Sequence, residues 1–215
     1  MNEKEFFDEK IIEMMNQVEQ PTVPMDNHDA EEVKPEERTI YTGLRIKGEW
    51  VYFEPRLFFD EQLSMMIPTT FTNMPLEMAK IKYPSQQRPE IILTDDTTAI
   101  NLMMTHMSEA MKNEESEAVR DQIMGMMQRL NPGIKTWESG VEVVSDKNVA
   151  YVAFSNPVMD GKLYNLMYFL ELNGRTLMVS FNCKATEMKY WKKAAFEMMQ
   201  SMKLVEVNAD EPSTE

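Results

Sequence analysis

The chain has 215 residues, a formal net charge of −14 and one cysteine. That length allows one substantial domain with appendages, a lone cysteine excludes an internal disulfide, and no apolar run approaches the ~20 residues that a membrane-spanning helix needs. The acidity sits at the ends: residues 1–38 hold 12 acids and 4 bases, residues 206–215 hold 4 acids and no base, and residues 39–205 hold 20 acids and 18 bases. A nearly balanced body has no basic stripe for phosphates, and its acidic ends repel them, so no nucleic-acid partner is expected.

In chain order, residues 3–19 form an amphipathic helix pattern. Phe7, Ile11, Met14 and Val18 alternate spacings of four and three, which puts them on one apolar face. A helix this short is marginal alone in water, so the face needs cover: its own domain, a second copy, or another protein. The start of the chain is charged and lacks the basic end and apolar core of a secretory signal, which predicts a cytoplasmic protein. Residues 20–38 hold three prolines and many acids and read as an extended linker. Residues 206–215 read as an acidic disordered tail.

Residues 39–205 read as one domain. Residues 39–46 and 49–53 suggest two strands around Lys47-Gly48, a hairpin. Residues 57–67 fit neither helix nor strand cleanly, and Pro75 opens a short helix to residue 80. Residues 91–94 and 99–105 read as strands. A helix follows from an N-cap at Asn113, with Val119, Ile123, Met126, Met127 and Leu130 as its apolar stripe and Asn131-Pro132-Gly133 as its stop. Residues 134–137, 141–145 and 148–155 read as strands joined at Ser139-Gly140 and Asp146-Lys147.

The closing stretch, residues 161–204, organises the rest. Residues 164–172 are apolar on both faces, which marks a central strand covered on both sides. Asn173-Gly174 suits a two-residue type I′ turn, because both of its central residues need positive φ. Residues 176–183 then place Leu177, Val179, Phe181 and Cys183 on one face. Thr186 is the expected N-cap of a last helix, with Trp191, Ala195, Met198 and Met202 as its stripe. Mostly antiparallel strands with two long helices predict an α+β fold.

Little chemistry is visible. His28 lies in the acidic linker, and His106 ends a strand with no second His or Cys at ligand spacing. Asp95-Asp96 supplies two carboxylates between strands, where a turn is the simpler reading. No glycine-rich phosphate loop and no nucleophile elbow occurs. No cofactor or metal site is expected. Methionine is the compositional outlier at 22 residues, several in adjacent pairs. On a strand, neighbours point to opposite faces, so Met65-Met66 and Met103-Met104 each direct one side chain away from a one-sided core.

The irregular PTTFTNMP segment, the mid-chain helix, the antiparallel meander and the closing FEMMQSMKL resemble the family that unites PsbP and Mog with bacterial domains of unknown function. The resemblance spans about residues 39–205. It implies an α/β/α sandwich with a largely antiparallel central sheet, whose closing helix packs on that sheet through residues 196–204. It also implies binding or assembly work without catalysis, one bacterial branch resembling chaperones for apolar segments.

Three functional expectations follow. The first is a non-enzymatic protein-binding module that docks an apolar helix or similar segment on Phe7, Ile11, Met14, Val18, Met65 and Met103, with an exposed apolar patch. The second is a small-molecule-binding or hydrolytic domain with a pocket where His106, Asp95 and Asp96 converge. The third is a homo-oligomer joined through residues 3–19.

Overall fold

The computed structural model describes residues 38–83, 88–159 and 161–204. The expected N-terminal helix, the linker through residue 37 and the tail from residue 205 lie outside them. The fold described here belongs to the unit Pro35–Glu215.

A seven-stranded antiparallel sheet forms the middle layer, in the order β5-β6-β7-β11-β10-β9-β8. Its strands are β5 (Thr72–Asn73), β6 (Ile91–Thr94), β7 (Asn101–Ala110), β8 (Lys135–Val144), β9 (Lys147–Val158), β10 (Gly161–Leu172) and β11 (Arg175–Lys184). The turn between β10 and β11 forms as its residues dictate, with positive φ at both Asn173 and Gly174. It fixes the register Leu170–Leu177, Tyr168–Val179 and Leu166–Phe181. Both strands are buried on both faces.

Two layers cover this sheet. On the front lie α3 (Met188–Gln200), the hairpin β1 (Leu44–Ile46) and β2 (Glu49–Val51), and a small sheet of β3 (Phe53–Phe58), β4 (Leu63–Pro68) and β12 (Lys203–Leu204). The main core forms there: Leu63, Met65, Ile67, Leu102, Met104, Tyr168, Leu177, Phe181, Trp191 and Met198 pack as one cluster. On the back, α2 (Ser116–Leu130) packs Met124 against Val152, Phe154, Met167 and Phe169. Beside it, α1 (Leu76–Lys82) packs Ala79 against Met74, Ile92 and Met103. This is an α+β fold, a sandwich of helices around an antiparallel sheet.

Several local expectations are corrected. Residues 57–67 form the β3–β4 hairpin, whose turn carries positive φ at Phe59, Asp60 and Glu61 without a glycine to announce it. No turn occurs at Ser139-Gly140, because β8 runs through it. Gly140 is there for a close approach: a Cβ would meet the Tyr151 hydroxyl at 2.8 Å. The following turn centres on Ser145-Asp146, both at positive φ. The last helix is capped at Glu187 with no side-chain cap bond, not at Thr186. Asn113 starts a short 3-10 turn, and its side-chain oxygen accepts from the Asn148 N–H instead of capping α2.

Val119, Ile123 and Met127 of the expected α2 stripe pack against the back core, but the stripe's other two residues do not. Ser116, Arg120 and Met124 are buried, while Met126 and Leu130 point to solvent, Leu130 at 81% exposure. Arg120 reaches across the sheet edge to donate to the Gly140 carbonyl at 3.0 Å, and it pairs with Glu117 and Asp121. A buried guanidinium with such partners lies in line with Met124, a pattern that hydropathy cannot show.

Candidate functional site

The two methionines expected to dock a partner do not lie on the surface. Met65 is 0% exposed and Met103 is 8% exposed, so neither offers a docking face in this structure. The reason is the layered architecture. Met104 faces the front core and Met103 the back, and both layers are covered. Met198 and Met199 are both buried as well. The remaining proposed contacts, Phe7, Ile11, Met14 and Val18, lie outside the described residues.

His106 does not join Asp95 and Asp96. Asp95 sits at the β6–β7 turn, where its N–H donates to the Ile100 carbonyl and its carboxylate accepts from the Ile100 N–H at 2.9 Å and from Thr97 Oγ1. His106 lies five residues further along β7 from Asn101, roughly 16 Å at strand rise. There its Nε2–H donates to the Leu172 carbonyl at 2.9 Å, and its ring meets the edge of Phe59. The Cys183 thiol is buried, and burial first, then the nearby Glu187 charge, pushes its pKa up to about 12. Such burial disfavours the thiolate form. Among the described residues no three His, Cys, Asp or Glu side chains gather as metal ligands.

Asp95 and Asp96 do line a cleft of about 1090 Å³. Its walls are the β1–β2 hairpin, residues 69–72, the β6–β7 loop and the start of α3. Ile46, Val51, Phe71, Ile100 and Trp191 give it an apolar floor. Around that floor stand four carboxylates, Glu49, Asp95, Asp96 and Glu187, against two ammonium groups, Lys47 and Lys184. The Lys47 ammonium pairs with Glu187 at 2.9 Å. That hydrogen bond, and then the Glu187 charge, holds the pKa of Lys47 above its ordinary value. The side chains of Glu49 and Asp96 make no hydrogen bond or close ion pair among the described residues, although the Glu49 charge also acts on Lys47. Trp191 is 5% exposed, and its indole N–H has no acceptor among them.

The lip of the cleft is aromatic. The local rule is strand alternation from the Lys47-Gly48 turn: Val51 and Phe53 turn toward the core, while Trp50 and Tyr52 turn outward. Trp50 is 45% exposed, lies near-parallel to Tyr52 with centroids 6.1 Å apart, and carries the Arg38 guanidinium 4.5 Å above its ring. Tyr41 is exposed nearby in sequence. The sequence signal was present in the outward pair Trp50 and Tyr52, but a strand pattern alone does not say which face meets the core.

No protein-family model matches the chain, and no curated protein matches it. Among solved structures it is similar to cyanobacterial PsbP (CyanoP) from Synechocystis sp. PCC 6803. The TM-score is 0.54 at 10% identity, over 71% of this chain and 92% of that one. Looser likenesses are LpqN, involved in cell envelope biogenesis of Mycobacterium tuberculosis, and the Saccharomyces cerevisiae Ran-binding protein Mog1p. LpqN gives a TM-score of 0.48 at 11% identity, over 79% of this chain and 98% of that one. Mog1p gives 0.41 at 8% identity, over 73% and 97%.

Proposed function

The chain has the PsbP-like fold, and we propose that it works as a non-enzymatic protein-binding module whose docking surface is the aromatic lip around Trp50. The observation that carries this reading is Trp50 itself, a large ring left half in solvent while the next residue, Val51, packs against the core, beside Tyr52 and Arg38. Trp, Tyr and Arg dominate the energetic centres of protein interfaces. The fate of the reactive groups supports the same reading. Asp95 is engaged in its own turn, Lys47 in an ion pair, His106 with a main-chain carbonyl, and Cys183 is sealed in the core.

Phe7, Ile11, Met14 and Val18 act on this reading as a second docking element, for the same partner or for a second copy of the chain. A cytoplasmic location accompanies it, supported by a lone cysteine kept as a buried thiol. No described helix is long and apolar enough to cross a membrane.

The test is affinity capture from the native cell with the full chain, followed by calorimetry on each purified partner. Trp50→Ala with Tyr52→Ala should weaken a true partner at least ~10-fold, the loss of one interface centre. Deleting residues 1–19 should lower either the partner affinity or the solution mass. Undiminished partner binding by the double variant would refute the lip as the docking surface.

A further inference from the structure

The back of the central sheet holds a second cavity, separate from the cleft beside Trp50. We propose that it binds an uncharged small molecule with an amide-like head and an apolar body. The head meets Ser180, Asn165 and Asn156. This goes beyond the protein-binding reading and does not depend on it.

The back face is covered in two parts. The cluster under α2 and the cluster beside α1 are separate, and a polar row crosses the sheet. Asn165 pairs with Asn182, Asn182 with Asn101 and Asn101 with Thr94, so their side chains share one face. One end of the row is satisfied. Thr94 Oγ1 donates to Asn101 Oδ1 at 2.8 Å, Asn101 Nδ2 donates to Asn182 Oδ1 at 3.0 Å, and the Tyr83 side chain bonds Asn182.

The other end is not. Ser180 faces the back, because its register partners Met103 and Met167 both belong to the back clusters. It is 9% exposed, yet its hydroxyl makes no hydrogen bond among the described residues. Asn165 is 8% exposed, and its Nδ2 donates to Asn156 Oδ1 at 2.6 Å. That one bond leaves the Asn165 carbonyl and the Asn156 amide N–H without a partner among the described residues. With both amides turned over, the same donor and acceptor roles remain. Buried polar groups left this way are costly, and an entering ligand removes the cost.

These three residues line a cavity of about 330 Å³, walled by Met127, Ile134, Phe154, Leu163 and Met167. Small-molecule sites begin near that volume, at ~300 Å³. None of the lining residues is ionisable, so a charged head would lose its hydration without a counter-charge. A neutral head with adjacent donor and acceptor answers the free carbonyl, the free N–H and the hydroxyl. Asn165 and Ser180 are diagonal neighbours across β10 and β11, roughly 7–8 Å apart, a gap that one planar head group spans.

The probes are phenylacetamide, phenylacetate and phenethylamine, titrated into the full chain carrying methyl-labelled methionine and followed by NMR at physiological salt. Phenylacetamide should bind at least ~10-fold tighter than either charged analogue. The Met127 and Met167 methyl signals should move, and those of Met65 and Met198 in the front core should not. Ser180→Ala should weaken phenylacetamide by ~3-fold or more, the worth of one neutral hydrogen bond. It should hold or raise the thermal midpoint, since the hydroxyl has no protein partner to lose. Asn156→Asp keeps an acceptor for Asn165 and adds a charge. It should reverse the preference, with phenethylamine gaining ~10-fold.

Equal affinity for the three probes, or no binding by any of them, overturns the proposal. So do shifts at Met65 and Met198 with Met127 and Met167 unmoved. A lowered midpoint with unchanged affinity in Ser180→Ala would make that hydroxyl structural and overturn its assignment. The Trp50/Tyr52 double variant should bind phenylacetamide as the wild type does, so the lip and the cavity stand or fall separately.

Discussion

Two hairpins in this molecule obey the same local rule and end in opposite surroundings. Lys47-Gly48 and Asn173-Gly174 are both two-residue turns with positive φ at both positions. After Asn173-Gly174, β11 buries Leu177, Val179 and Phe181 completely on one face, and Thr176, Ser180 and Asn182 are buried on the other. After Lys47-Gly48, Val51 and Phe53 are only partly buried against the core, and Trp50 and Tyr52 face outward. Turn chemistry sets the register; the layers stacked on each arm decide whether its side chains supply stability or recognition.

The comparison breaks most directly at Phe181. Its ring is fully buried in the front core, against Trp191. Phe181→Ala should cost ~3–5 kcal/mol, the usual range for a large buried ring. The shift in urea midpoint at unchanged slope measures it. A loss below ~1 kcal/mol would mean that β11 is not the centre of the core.

The turns themselves should respond alike. Gly174→Ala and Gly48→Ala meet no neighbouring atom, so each carries only the conformational penalty of an L-residue at positive φ, ~1–2 kcal/mol. The consequences should differ. Gly174→Ala should lower the urea midpoint and leave partner binding intact. Gly48→Ala should also weaken binding, because it displaces Trp50. Equal binding by both variants would separate the hairpin from recognition.

A pH dependence belongs to the buried arm. Glu171 flanks the Asn173-Gly174 turn. Burial pushes its carboxyl up, but the hydrogen bond from Lys147, the Gly174 N–H and the Lys147 charge together hold it below its ordinary value. A depressed folded-state value gives stability that is full above the ordinary carboxylate range and disappears as pH falls through the lowered value. The advantage of the wild type over Glu171→Gln should therefore be full at neutral pH and vanish in acid, as followed by thermal midpoints. An advantage that grows in acid would reverse the assigned sign.

How far the sequence could be read follows the same division. The β10–β11 arm was legible because its turn, its alternation and its two-sided apolarity all agree. The β3–β4 hairpin was not, since three consecutive left-handed residues, Phe59, Asp60 and Glu61, carry no glycine. On the back face Val119, Ile123 and Met127 follow the apolar stripe, whereas Arg120 lies buried on the inner line of α2, where hydropathy gives no sign of it. Of the candidate site, Asp95 and Asp96 do line a cleft, but their expected companion His106 sits midway along β7, hydrogen-bonded to the Leu172 carbonyl. Trp50, Tyr52 and Trp191 were visible only as strand or core residues. A single strand has two faces, and which of them meets a second layer is settled by tertiary packing, not by its own residues.

The smallest stability effect should belong to the residue that matters most for recognition. Trp50→Ala removes a ring that is half in water and packs mainly on Tyr52 and Arg38, so little apolar area changes environment. At ~25 cal/mol per Å² of area removed from water, a half-exposed ring contributes ~1 kcal/mol or less to folding. At an interface the same ring would be buried against a partner, and its truncation there typically costs ~2 kcal/mol or more. The expected signature is therefore a near-unchanged urea midpoint together with a partner affinity reduced more than ~10-fold. A large fall in stability with unaltered affinity would place Trp50 with the Phe181 class, and the two hairpins would cease to differ in role.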